Sequence, residues 1–281
     1  MRFRGGAELD PSQVLDRRGM GAGGLAVGGG GIVGVVFLLI QLLGGGGGSS
    51  LQFDQPTNPD SDLSSECRTG EDANQRDDCR IVGVINSVQD YWSDNLTNYR
   101  EAKTVFFDGQ VSTACGTATS AVGPFYCPSD EQIYIDLGFY RDLRDRFGAQ
   151  GGPFAEAYVI AHEYGHHVEN VRGILGRARS QATGPASEGV RVELMADCLA
   201  GMWANGAVET GFIEDLTEAD ITDGLDAAAA IGDDRIQEKA QGQVDPESWT
   251  HGSAEQRQRW FLTGYRLGNL SSCDTFAVAS P

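Results

Sequence analysis

Apolar residues recur along the chain at spacings that pick out helices more often than strands. Between Cys79 and Tyr91 and on into Trp92, Ile81, Val84, Ile85, Val88 and Trp92 lie three or four residues apart, the mark of one buried helical stripe. Phe154–Val171 is a second helix, opening after Gly-Gly-Pro with Pro153 suited to its first turn. Ser187–Asn205 is a third, stopped by Gly206. Thr217-x-x-Asp220 and Ser253-x-x-Gln256 are cap signals, the second a capping box. They open helices running to about Ala230 and Leu267, the latter ending at Gly268. Val105–Phe107 and Ile133–Ile135 are short, rich in β-branched and aromatic residues and bounded by turn formers, so they read as strands. Between them GTATSAVGPFYCPSD is small, polar and turn-rich, as a loop or irregular edge would be. The pattern gives an α+β fold, mainly α, with a small sheet ahead of the helix over 154–171.

The start of the chain follows a different pattern. Leu25–Leu43 reads LAVGGGGIVGVVFLLIQLL, without a charge and with Gln41 as its one polar side chain. A helix needs roughly 20 such residues to cross a bilayer core. Arg2, Arg4, Arg17 and Arg18 precede the run, and no Lys or Arg follows until Arg68. The positive-inside rule therefore places the head in the cytoplasm and the rest outside. The expected organisation is a cytoplasmic head (1–20), one transmembrane signal anchor (21–43), a flexible Gly/Ser/Pro-rich tether (44–65) and a globular domain (66–281). A cleaved signal peptide is the alternative, since Gly44–Gly48 and two serines would suit cleavage. The expected location is the cell membrane, single-pass, with the domain extracytoplasmic.

Charge and cysteine sharpen the picture. The net charge is −19, and because residues 1–43 hold four Arg against Glu8, Asp10 and Asp16, all of it lies beyond the apolar run. Such an acidic domain would repel phosphate backbones, which excludes nucleic acid as a partner. The six Cys all follow residue 66, and an even number beyond a membrane anchor suggests disulfides in an oxidising compartment. Proximity pairs Cys67 with Cys79 and Cys115 with Cys127, which leaves Cys198 with Cys273. A Cys-ligated zinc would need close C-x-x-C spacing, which the sequence lacks.

The chemistry lies in AHEYGHHVEN. His162 and His166 stand four apart, so a helix puts both imidazoles on one face, and Glu163 can reach a water beside a metal they hold. Two histidines leave zinc short of ligands. In RVELMADCLAG, Glu193 and Asp197 are again four apart, with Glu193 expected as the third ligand. Asp197 is expected to hold the far nitrogen of a ligand histidine. His167 lies off the ligand face and is expected at the surface or behind a ligand, and Glu169 and Glu188 are expected in solvent. His251 is the only histidine outside the cluster. It is a candidate donor to an oxyanion, with helix capping or packing as the alternative; Tyr164 is a weaker candidate.

These blocks, with the MRFRGG…DRRG head, CGTATSAVGPFYCPSD, IYID, HEYGHHVE, ELMADCLAG and HGSAEQRQRWFLTGYRLG, resemble the bacterial neutral zinc metallopeptidase family of single-span membrane proteins. The resemblance covers almost the whole chain. It implies a zincin-like domain and a gluzincin-type site with one zinc on His162, His166 and Glu193. It also implies an edge strand that pairs with extended substrate, expected near Ile133–Asp136. The function so implied is zinc-dependent hydrolysis of peptide bonds in a peptide or protein substrate, with Glu163 as general base. A membrane-tethered binding or regulatory protein with structural zinc and a zinc amidase acting on cell-wall material are the alternatives.

Overall fold

A computed structural model describes residues 1–19, 63–176 and 182–281. The fold is α+β and mainly helical. The head forms β1 (Arg2–Phe3) and β2 (Val14–Asp16). After the undescribed segment come α1 (Leu63–Glu66), α2 (Gly70–Gln75) and α3 (Asp77–Asn95). The sheet region holds β3 (Lys103–Phe106), β4 (Gln110–Thr113), β5 (Gly116–Thr119), β6 (Phe125–Cys127) and β7 (Gln132–Ile135). Then follow α4 (Phe139–Asp145), α5 (Pro153–Val171), α6 (Glu188–Gly206), β8 (Ile213–Asp215), α7 (Glu218–Ala230), α8 (Asp233–Gln241) and α9 (Ala254–Leu267).

The helical stripes read from the sequence are the ones that pack. Ile81, Val84, Ile85, Val88 and Trp92 of α3 are all buried, and α5 and α6 are buried nearly all round. Close backbone approach holds these central helices together. A Cβ on Gly165 of α5 would sit 2.9 Å from the Ala196 backbone of α6, and one on Gly264 of α9 would sit 1.8 Å from the Cys198 carbonyl oxygen. Only glycine permits such contacts. Both capping boxes form, at Thr217 with Asp220 and at Ser253 with Gln256, and Gly268 ends α9 in the left-handed conformation.

The sheet runs β2-β3-β7-β6. β2 and β7 flank β3 in parallel, and β6 returns antiparallel to β7. This corrects one expectation and agrees with another. The strand near Ile133–Asp136 is interior, because β6 covers its outer side; the edge is β6. The stretch 116–130 supplies that irregular edge, with Ala118 of β5 and Tyr126 of β6 buried. Disulfides join Cys67–Cys79, Cys115–Cys127 and Cys198–Cys273, the pairing that proximity suggested. The last ties α6 to the chain beyond α9.

Among the described residues no helix is long and apolar enough to cross a membrane. The run 21–43 and nearly all of the tether 44–65 lie outside the described residues.

Candidate metal centre

α5 and α6 cross with their polar faces inward. The buried His162 and His166 present their Nε2 atoms to one oxygen of Glu193: His162 Nε2 lies 3.2 Å and His166 Nε2 3.6 Å from Glu193 Oε2. One ligand atom from each of the three falls within 4.8 Å of the others. The outward nitrogens are held from behind. His162 Nδ1 bonds Asp197 Oδ1 at 2.8 Å, and His166 Nδ1 bonds Glu169 Oε2 at 2.8 Å. With both Nδ1 atoms donating, both Nε2 lone pairs face the shared space.

Burial and charge agree with this reading. Burial alone would disfavour protonating either imidazole, but Asp197 and Glu193 around His162, and Glu193 and Glu169 around His166, raise both above the ordinary histidine range. Burial also opposes ionisation of Glu193, yet His251, His166 and His162 hold it well below the usual carboxylate range. Burial pushes the Glu163 carboxyl up.

Asp197 is the hub behind the site. Tyr158 donates to its Oδ1 at 2.6 Å, and Arg257 of α9 grips both oxygens, Nε to Oδ2 at 2.9 Å and Nη2 to Oδ1 at 3.1 Å. Burial opposes its ionisation, but Arg257 and His162 bring its pKa down to about 2. Arg257 was not singled out from the sequence. Its signal is an arginine on the apolar stripe Ala254, Trp260, Phe261 and Gly264, where only a buried counter-charge would keep it.

Glu169 corrects another expectation. It is fully buried rather than solvated, and burial pushes its pKa to about 7 against the pull of His166. Its position three residues after His166 and seven after His162 places it on the ligand face of α5, a signal legible in the sequence. His167 is also buried rather than at the surface. Its Nδ1 meets the Tyr126 hydroxyl at 3.0 Å and its Nε2 the Arg100 carbonyl at 2.6 Å, so it pins β6 to α5. Tyr164 points away from the ligands, its hydroxyl 2.9 Å from Thr104 Oγ1 on β3, which removes it as an oxyanion donor. Glu188 sits at the first turn of α6.

His251 lies buried before α9, close enough to act electrostatically on Glu193. Its Nδ1 faces Thr250 Oγ1 at 3.0 Å and Asp233 Oδ1 at 3.4 Å. Asp233 Oδ2 accepts the backbone N–H groups of Thr250, His251 and Gly252 at 2.7, 2.7 and 3.0 Å. The α9 cap is Ser253, so His251 has no capping duty.

The chain is 53% identical over 228 residues to the uncharacterized proteins Rv2575 of Mycobacterium tuberculosis (strain H37Rv) and Mb2605 of Mycobacterium bovis, covering 79% of this chain and 78% of each of theirs. It is 42% identical over 202 residues to the uncharacterized protein YpfJ of Escherichia coli K12, covering 69% of both chains. No solved structure matches it. Residues 1–276 match the family described as "Putative neutral zinc metallopeptidase". With that match over nearly its full length, the chain belongs to the neutral zinc metallopeptidase family.

Proposed function

We propose that the chain is a zincin-like, zinc-dependent peptidase that hydrolyses peptide bonds in peptide or protein substrates, with Glu163 as general base. One observation carries the reading: the spacing of the three ligand atoms. Ligands about 2.0–2.1 Å from a tetrahedral zinc lie about 3.3–3.4 Å from one another. The separations of 3.2 and 3.6 Å between Glu193 and the two histidines bracket that value. His162, His166 and Glu193 would hold one zinc. When bound, zinc lowers the pKa of a water and polarises a carbonyl.

The remaining work falls to side chains of this chain. Glu163, raised by burial, accepts a proton from the attacking water and returns it to the leaving amine. His251, buried and close enough to act electrostatically on Glu193, is the proposed hydrogen-bond partner of the oxygen that becomes negative. β6, as the open edge, is the proposed partner for an extended substrate. Structural zinc sites are closed by four protein ligands. The described cluster offers three plus a buried Glu163, which favours hydrolysis over a purely structural zinc. Attachment to a membrane through residues 21–43 is proposed from their apolar sequence alone.

The test is digestion of a peptide library, with a cell-wall preparation alongside, by the native chain, the chelated chain and the chelated chain resupplied with zinc. Peptide cleavage lost on chelation and regained with zinc is expected. Release of cell-wall amides without peptide cleavage would replace the peptidase by an amidase.

A further inference from the structure

The head packs into the fold rather than lying apart from it. Phe3 is 1% exposed and joins the main core with Leu9 and Val14. β1 pairs antiparallel with β8, and β2 pairs in parallel with β3, Val14 opposite Thr104 and Asp16 opposite Phe106. β2 therefore covers one edge of the sheet and leaves β6 as the other.

The domain carries groups that only the head satisfies. Asn74 of α2 accepts from the Phe3 N–H at 2.9 Å and donates to the Phe3 carbonyl at 3.0 Å. Asn86, buried in the middle of α3, does the same for Asp10 at 2.8 and 3.0 Å and donates to Gln13 Oε1 at 2.8 Å. A buried amide without these partners would be expensive. The N–H groups of Gly70 and Glu71, orphans of the first turn of α2, donate to the carbonyls of Ala7 and Gly5 at 2.8 and 3.1 Å. Space is matched as well as polarity. A Cβ on Gly70 would lie 2.0 Å from the Arg4 carbonyl oxygen, and one on Gly83 of α3 would lie 2.5 Å from the Phe3 ring. In both cases the nearest obstacles are all head atoms.

We propose that residues 1–19 are a docked structural element of the catalytic domain, so that the chain on both sides of residues 20–62 lies in one compartment. A bilayer between head and domain would separate β2 from β3 and expose Phe3 and Asn86 at once. The proposal stands against the arrangement of cytoplasmic head and extracytoplasmic domain drawn from arginine asymmetry, and it does not depend on the catalytic reading.

Two measurements on the full-length chain test it. Gly83→Ala should lower the Tm by about 5 °C, because the methyl group overpacks against Phe3, and Phe3→Ala in the same chain should remove that penalty. With no head against α3, alanine is the better residue for a helix interior, and the Tm should rise. A rise, or a Gly83→Ala effect indifferent to Phe3→Ala, overturns the docking. The second measurement uses single cysteines at Gly6→Cys, where a Cβ meets nothing, and at the exposed Glu255→Cys on α9. A membrane-impermeant maleimide applied to intact cells should label both or neither, with both labelled after permeabilisation. Labelling of one and protection of the other overturns the shared compartment.

Discussion

Arg257→Met is the sharpest probe of the charge balance behind His162 and Glu193. The guanidinium is 2% exposed and makes paired hydrogen bonds to an equally buried Asp197, together with one to the Tyr158 hydroxyl at 3.0 Å. Methionine keeps most of the volume, so the loss is electrostatic rather than a cavity. What remains is a carboxylate with no cation but His162. Removing one partner of a buried pair costs about 3–5 kcal/mol, because the other charge stays desolvated. In a domain of this size each kcal/mol lowers the Tm by about 2–4 °C, so the drop should be about 6–20 °C. Thermal unfolding of the zinc-free protein is the assay, since bound metal would mask the change. Arg259→Met, exposed on the same helix, should stay within about 0.5 kcal/mol of native. Adding Asp197→Asn to Arg257→Met should recover part of the loss, because the uncompensated charge goes with it. A cost below about 1 kcal/mol for Arg257→Met, or strict additivity in the double variant, would refute the hub assigned to Asp197.

Three further outcomes follow from other parts of the site and fold. Glu169→Gln should retain zinc but bind it about 10–100-fold more weakly in a chelator competition, the usual scale for a lost partner behind a ligand histidine; unchanged affinity would return Glu169 to a packing role. His162 and His166 are both raised above the ordinary imidazole range in the metal-free chain, so protons compete with the metal. The stabilisation from their carboxylate partners is full below about pH 6.5 and is lost as pH climbs through the raised values, while zinc affinity should increase across the same window. A pH-independent zinc affinity between about pH 6 and 8 would contradict that electrostatic reading. Replacing Cys198 and Cys273 with serine opens a loop of 75 residues and should cost about 4 kcal/mol in the chain-entropy picture, read from denaturant midpoints against the native disulfide.

Much of this was legible in the chain, and the gaps have physical causes. Helical stripes such as Ile81, Val84, Ile85 and Val88 announce themselves because burial of one face repeats with the helix turn. The pairs His162/His166 and Glu193/Asp197 were visible for the same reason. β2 and β6 were missed because three-residue strands carry too little alternation to register. They exist through tertiary partners, β3 for one and β7 with Tyr126 and His167 for the other. Arg257 and Asp233 reach the site from distant segments, and no local spacing reports that. Glu169 was a missed signal rather than an absent one, since it shares the face of both ligand histidines. The docking of the head was missed because arginine counting ignores Phe3, Leu9 and Val14, whose apolar side chains enter the core.

The central claim is that α5 and α6 build a hydrolytic zinc site in which ligand and base are different residues. Glu163→Gln tests it most directly, with zinc per chain and peptide turnover measured on one preparation. The amide keeps the shape of the side chain but cannot take a proton. One zinc per chain retained, with turnover lost by at least about 100-fold, is the predicted result. Native turnover in Glu163→Gln, or loss of its zinc, would contradict the account.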